Sequence, residues 1–326
     1  MLIADSKLEV TFHRTVRVPD GRQPSNLPPS LGRMSLYPVH KYADKCPESW
    51  EKSGYFMALH DTEAMWMSFH SRKYPLALMI GAGGINALTG QKLGTKLEKD
   101  NYLVTPPQPW LDGWKDTDGT VYQFVATPYQ KGKGISVAEQ LIGEESKTGA
   151  LGIALFESKD PAKLTPKMPK FEGWSESMTD QDFNWQQSCG GYGGLLKSAN
   201  FSCSVASASC EEPVVKGLVS SKRSVSFSEM GIGRGGKIIQ KIYPDPHGLE
   251  VWKEEPISTM AFYLVNAEVF EEITGVKVPK PVGHENYGGN WFGVNDSEEG
   301  DVAGSDKFTG LKSAVFPASE LVEKEK

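Results

Sequence analysis

The chain has 326 residues, a hydrophobic share of 39% and a formal charge of −6. That length supplies one large or two moderate domains and a sizeable core, and no run approaches the roughly 18 consecutive apolar residues of a membrane span. No cluster of Lys and Arg interleaved with aromatics is present, which argues against a nucleic-acid surface. Thirty-four Gly and 21 Pro describe a soluble chain rich in turns and loops.

At the N-terminus, residues 1–7 lack the basic region and apolar core of a secretory signal, so the chain reads as intracellular, in the cytoplasm. Leu8, Val10, Phe12, Val16 and Val18 alternate with Glu9, Thr11, His13, Thr15 and Arg17, the pattern of a half-buried strand. Pro19, Asp20 and Gly21 turn the chain into a proline-rich loop, and a second strand is expected from Met34 to Val39. From Tyr55 to Gly90 the pattern predicts several adjacent strands, with Gly81 to Gly84 leading into a hairpin whose returning arm is Ile85 to Thr89. Thr105 to Trp114 reads as a structured loop because of its three prolines, and Val121 to Ala126 resumes strand character.

Ser136 and Glu139 have capping-box spacing with Gly143 as a stop, which predicts one or two helical turns. Leu151 to Phe156 returns to strand. Between about Asp160 and Ser224 the periodicity gives way to Lys, Pro, Ser and Gly, as expected of a long, partly mobile excursion. Further on, Phe262 to Val265 reads as an apolar strand, followed by a helix near 267–274 with Asn266 as N-cap and Gly275 as its end. The expected organisation is a β-rich body over 1–159, the excursion over 160–224, and a continuation of the body over 225–326 with a frayed tail. The fold class is mainly β, either β-sandwich-like or β-rich α+β, with a few short helices and long loops.

The most conspicuous motif is Gly231, Ile232, Gly233, Arg234, Gly235, Gly236, Lys237. It falls short of a P-loop, because Ile238 stands where Ser or Thr would bind magnesium and residues 238–243 have the composition of a strand instead of a helix. It is therefore read as a hairpin turn with glycines at positive φ. Gly231, Gly233, Arg234, Gly235, Gly236 and Lys237 would make an anion- or partner-binding tip. Trp110 and Trp114 in the proline-rich loop, like Trp174, Trp185 and Trp291, are either a contact platform or covers for the core.

Cys46 stands apart from Cys189, Cys203 and Cys210, and no C-x-x-C occurs, so free thiols are expected and neither a metal nor a cofactor is called for. Cys189, followed by two glycines, is the best-placed thiol nucleophile. His60, Asp61, Glu63 and His70 form the best local group for a metal, and Asp245 with His247 a candidate acid/base pair.

Five stretches, TVRVPDGRQPSNLPPSLGR (15–33), GGINALTG (83–90), PPQPWLDG (106–113), QFVATP (123–128) and MGIGRGGKIIQKIYPDP (230–246), resemble an uncharacterised protein family of bacteria and fungi. The resemblance implies a common body to which the excursion is an addition, and it implies no activity or site residues. The resulting expectation is a non-enzymatic, intracellular protein that binds another protein or associates with itself as a homo-oligomer through its Gly- and Trp-rich loops. The alternative is a hydrolase or metal-dependent enzyme whose site is assembled from distant strands.

Overall fold

A computed structural model describes residues 1–5, 7–21, 23–131, 134–166, 229–280 and 301–314. The chain is mainly β. Among the described residues fifteen strands form one sheet, with the path β1 (Leu2–Ile3), β2 (Leu8–Thr15), β6 (Ala64–Ser71), β12 (Thr120–Pro128), β14 (Glu229–Ile239), β15 (Ser258–Asn266), β13 (Leu151–Glu157), β7 (Leu76–Ala82), β8 (Ile85–Asn86). Short strands extend it: β3 (Ser30–Arg33) on β2, β4 (Tyr37–Pro38) on β5 (Tyr55–Leu59), β9 (Leu103–Thr105) on β7, β10 (Trp110–Leu111) on β6 and β11 (Gly113–Lys115) on β12. All these pairs are antiparallel except β5 with β15.

The path has two ends and does not close into a barrel, yet it cannot be flat. Phe12 and Phe262 lie four strands apart along it, about 19 Å on a flat sheet, and their ring centroids are 4.8 Å apart. The two halves therefore face each other. The alternating apolar positions of β2, β6, β12, β7 and β13 meet in one core, which includes Phe12, Met67, Phe124, Leu78 and Ile153.

The outer faces are covered locally. α2 (Ala267–Thr274) and the segment around Val39 and Trp50 lie over β5 and β15, and Tyr102 with Trp252 lies over β7 and β13. The two α-helices among the described residues carry the caps that their sequences predict. In α1 (Val137–Ile142), the Glu139 N–H donates to Ser136 Oγ while the Ser136 hydroxyl donates to Glu139 Oε2. In α2, Asn266 Oδ1 accepts from the Glu268 N–H, and Gly275 closes the helix at φ 74°.

Gly83 and Gly84, at φ 59° and 83°, make the tight turn between β7 and β8. Two expectations need correction. Met34 to Val39 is not one strand, since β3 pairs with β2 and β4 with β5, so the chain changes partner between them and runs on into a 3-10 turn at Val39–Tyr42. Gly231 to Lys237 is not a hairpin turn. It lies inside β14, pairs along β12 and has no glycine in the left-handed region. These glycines make room rather than a bend. A Cβ on Gly236 would stand 2.1 Å from the Pro19 carbonyl oxygen, and one on Gly233 would meet Thr127 Cγ2 at 2.7 Å and Ala314 Cβ at 2.9 Å.

Candidate functional site

The two cations of the glycine-rich strand are engaged within the protein. Arg234 is buried, stacks over the Tyr122 ring at 4.1 Å, and donates through one guanidinium nitrogen to the carbonyls of Phe308, Thr309 and Leu311 at 3.2, 2.8 and 2.8 Å. The Ala314 N–H returns a bond to the Arg234 carbonyl at 2.7 Å. Residues 301–314 thus form a strap across β14, fastened at its other end where buried Lys115 meets Asp301 at 2.6 Å. Lys237 contacts Asp116 and Asp118 at 2.7 and 2.6 Å. Partial burial disfavours its charge, but the bonds from the two carboxylates outweigh that and raise its pKa. Gly231, Gly233, Gly235 and Gly236 are buried, so the expected anion- or partner-binding tip is corrected to a covered strand that anchors the strap.

Trp114 is likewise corrected from contact surface to core. It is fully buried, meets Phe124 edge-on at 5.3 Å and Phe308 at 5.3 Å, and donates its Nε1 hydrogen to the Gly233 carbonyl at 3.2 Å. Trp110 is half-buried and bonds Asp112, whose fully buried carboxyl is pushed up to about 8 by desolvation against the pull of that bond. Trp174, Trp185, Trp291, Cys189, Cys203 and Cys210, most of the excursion and the C-terminal tail lie outside the described residues.

The local metal group does not converge. Glu63 is bound to the Arg14 guanidinium at 2.6 Å and to the His60 backbone N–H at 2.9 Å, the His60 ring meets the Pro279 carbonyl at 3.0 Å, and His70 lies exposed at the far end of β6. Among the described residues no three His, Cys, Asp or Glu side chains group as metal ligands. Asp245 accepts from Tyr102 Oη at 2.6 Å, Trp252 Nε1 at 2.7 Å and the His247 backbone N–H at 2.8 Å, so its carboxylate staples the outer face of β7 and β13. Cys46 is buried, and desolvation pushes its thiol up to about 11, which leaves it unreactive at neutral pH.

An open cleft of 540 Å³ lies in the connection between β8 and β9, within the range of small-molecule sites. Two asparagines build its frame. Asn86 donates from Nδ2 to the Asn101 carbonyl at 2.7 Å and accepts at Oδ1 from the N–H groups of Leu88 and Thr89. Asn101 accepts from the Glu98 N–H and donates to the Lys96 carbonyl, which ties the far side of the loop to the same frame. On that frame stand Thr89, Gln91, Thr95, Lys92, Lys96 and Lys99, with Glu98 the single acid in the lining. Lys92 pairs with Glu145, and the side chains of Lys96 and Lys99 are exposed at the rim. Sequence reasoning missed this site. Its one signal is the pair of asparagines bracketing a lysine-rich, turn-forming stretch.

The geometry defines a class: an open, two-layered β protein with a polar, cationic cleft at one connection. No family model, curated protein or solved structure matches the chain, in keeping with its resemblance to an uncharacterised family.

Proposed function

We propose that this is an intracellular protein that acts by reversible binding, and that the cleft between β8 and β9 receives a small, polar, negatively charged ligand. The observation that supports it is the lining, Lys96 and Lys99 at the rim against Glu98, with Lys92 paired to Glu145, on a frame fixed by Asn86 and Asn101. A hydroxyl- and amide-rich wall suits a hydrated, oxygen-bearing ligand, and the cations set its sign. Among the described residues the large exposed apolar side chains, Ile239, Leu249 and Val276, fall on three separate segments, so the cleft is a better recognition site than an apolar face.

Isothermal titration with citrate and with inorganic phosphate at fixed ionic strength tests this. Binding by the native chain, weakened at least about tenfold in the Lys96→Glu/Lys99→Glu variant, is the expected result. No heat with either probe, or equal heat from both proteins, overturns it. Self-association is the second part of the proposal. Light scattering over a concentration series checks it on the same sample, and a particle of one-chain mass at every concentration removes it.

A further inference from the structure

The outer face of β2 and β6 holds a side-chain arrangement separate from the cleft. His13 of β2 is 1% exposed and lies flat on Trp66 of β6, with ring centroids 3.8 Å apart and planes 7° from parallel. Its Nδ1 is 3.0 Å from Ser30 Oγ on the edge strand β3, and its Nε2 is 2.9 Å from Ser68 Oγ on β6. The Gly32 N–H also donates to Ser30 Oγ, at 3.2 Å. In the tautomer that carries its hydrogen on Nε2, Nδ1 accepts from the Ser30 hydroxyl and Nε2–H donates to Ser68 Oγ. A hydroxyl, a base that accepts its proton and a third group that orients the base are the parts of an activated serine.

We propose that Ser30 is a nucleophile, His13 its general base and Ser68 the residue that positions His13, giving the protein an esterase activity toward small acyl esters. Ser30 is half-buried, and Gly32 and Arg33 beside it are exposed, so an ester reaches it at the sheet edge without a deep pocket. The small substrate class follows from that flat approach. In the reaction Ser30 Oγ bonds to the acyl carbon as its proton passes to His13 Nδ1. The bond from that carbon to the leaving oxygen breaks, and the departing alcohol takes the proton from His13. Water then attacks the acyl-serine, giving a proton to Nδ1 and releasing the carboxylic acid as Ser30 regains its hydrogen. Burial and the nearby Arg33 push His13 down to about 4, so the ring is neutral and able to accept at physiological pH. So weak a base implies slow turnover. This activity goes beyond the binding proposal and uses none of the cleft residues.

A fluorophosphonate probe on the full chain, with the adduct located by peptide mass spectrometry, tests it directly. An adduct on Ser30, lost in Ser30→Ala, with a labelling rate level from pH 6 to 8 and falling toward pH 4, is the expected result. Ser68→Ala retains the adduct, slows labelling about tenfold or more and shifts the acid limb, because the imidazole loses its orienting partner. Labelling elsewhere, or none on a native chain that circular dichroism finds folded, overturns the proposal and leaves His13 a satisfied core histidine. Ser68→Ala labelling at the native rate at every pH overturns the positioning role. Should His13→Gln fail to fold, the two serine variants still decide the matter.

Discussion

In β14, Arg234 and Lys237 direct their donors inward, to three carbonyls of the strap and to two carboxylates. On β2 and β3, by contrast, His13 is buried while its partner Ser30 sits half-open at a sheet edge. The β14 region has the sequence of a binding loop and acts as a fastening. The β2–β3 region has the sequence of an ordinary alternating strand and brings a nucleophile to a base. The difference lies in what covers each one. A strand without Cβ atoms lets other chain segments come within contact distance and engage its cations, whereas an edge strand leaves one side of a hydroxyl free.

The sharpest way to break the comparison is Gly236→Val. Its side chain collides with the Pro19 carbonyl and Val18, and we expect a loss of about 3 kcal/mol in urea denaturation. Full native stability in that variant would mean that the strand has slack. Next, Arg234→Met leaves three strap carbonyls without their charged donor, at a cost of about 2 to 3 kcal/mol, and limited proteolysis should then cut within 301–314. Ser30→Ala, in contrast, is expected to cost about 1 kcal/mol, since Ser30 itself is half-buried but its loss leaves Nδ1 of buried His13 without that partner.

The comparison can also be sharpened in pH, where two buried groups act with opposite sign. The pKa of His13 is depressed, so its contribution is present above the ordinary histidine range and is lost as pH falls toward about 4. The pKa of Asp112 is raised, so its contribution is full below the ordinary carboxylate range and is lost as pH rises through about 8. Denaturation midpoints for Asp112→Asn at pH 5, 7 and 9 should show a flatter alkaline limb than the native protein. Equal limbs would place the charge elsewhere.

What was legible in the sequence was local. The alternation of Leu8, Val10 and Phe12, the caps at Ser136 and Asn266 and the turn at Gly83 each depend on residues within a few positions of one another, and each is where the pattern puts it. The glycines of β14 answer to Pro19, Thr127 and Ala314, which are distant in sequence, so their spacing carries no sign of the neighbours that require them. Likewise His13 meets Ser30 and Ser68 only because β2 pairs with β3 on one side and β6 on the other. The cleft was hidden for another reason. Its frame is made by asparagines bonding backbone, which no hydrophobic period records.

The strap also sets an order of events during synthesis. Arg234 leaves the ribosome about 74 to 77 residues before the carbonyls of Phe308, Thr309 and Leu311 that it will bind, and Trp114 waits longer still for Phe308. Until then the guanidinium and the ring are without those partners, and the apolar surface that Phe308 will cover stays open. Chains released before residue 308 should therefore be held by chaperones or degraded, whatever the quality of their earlier strands.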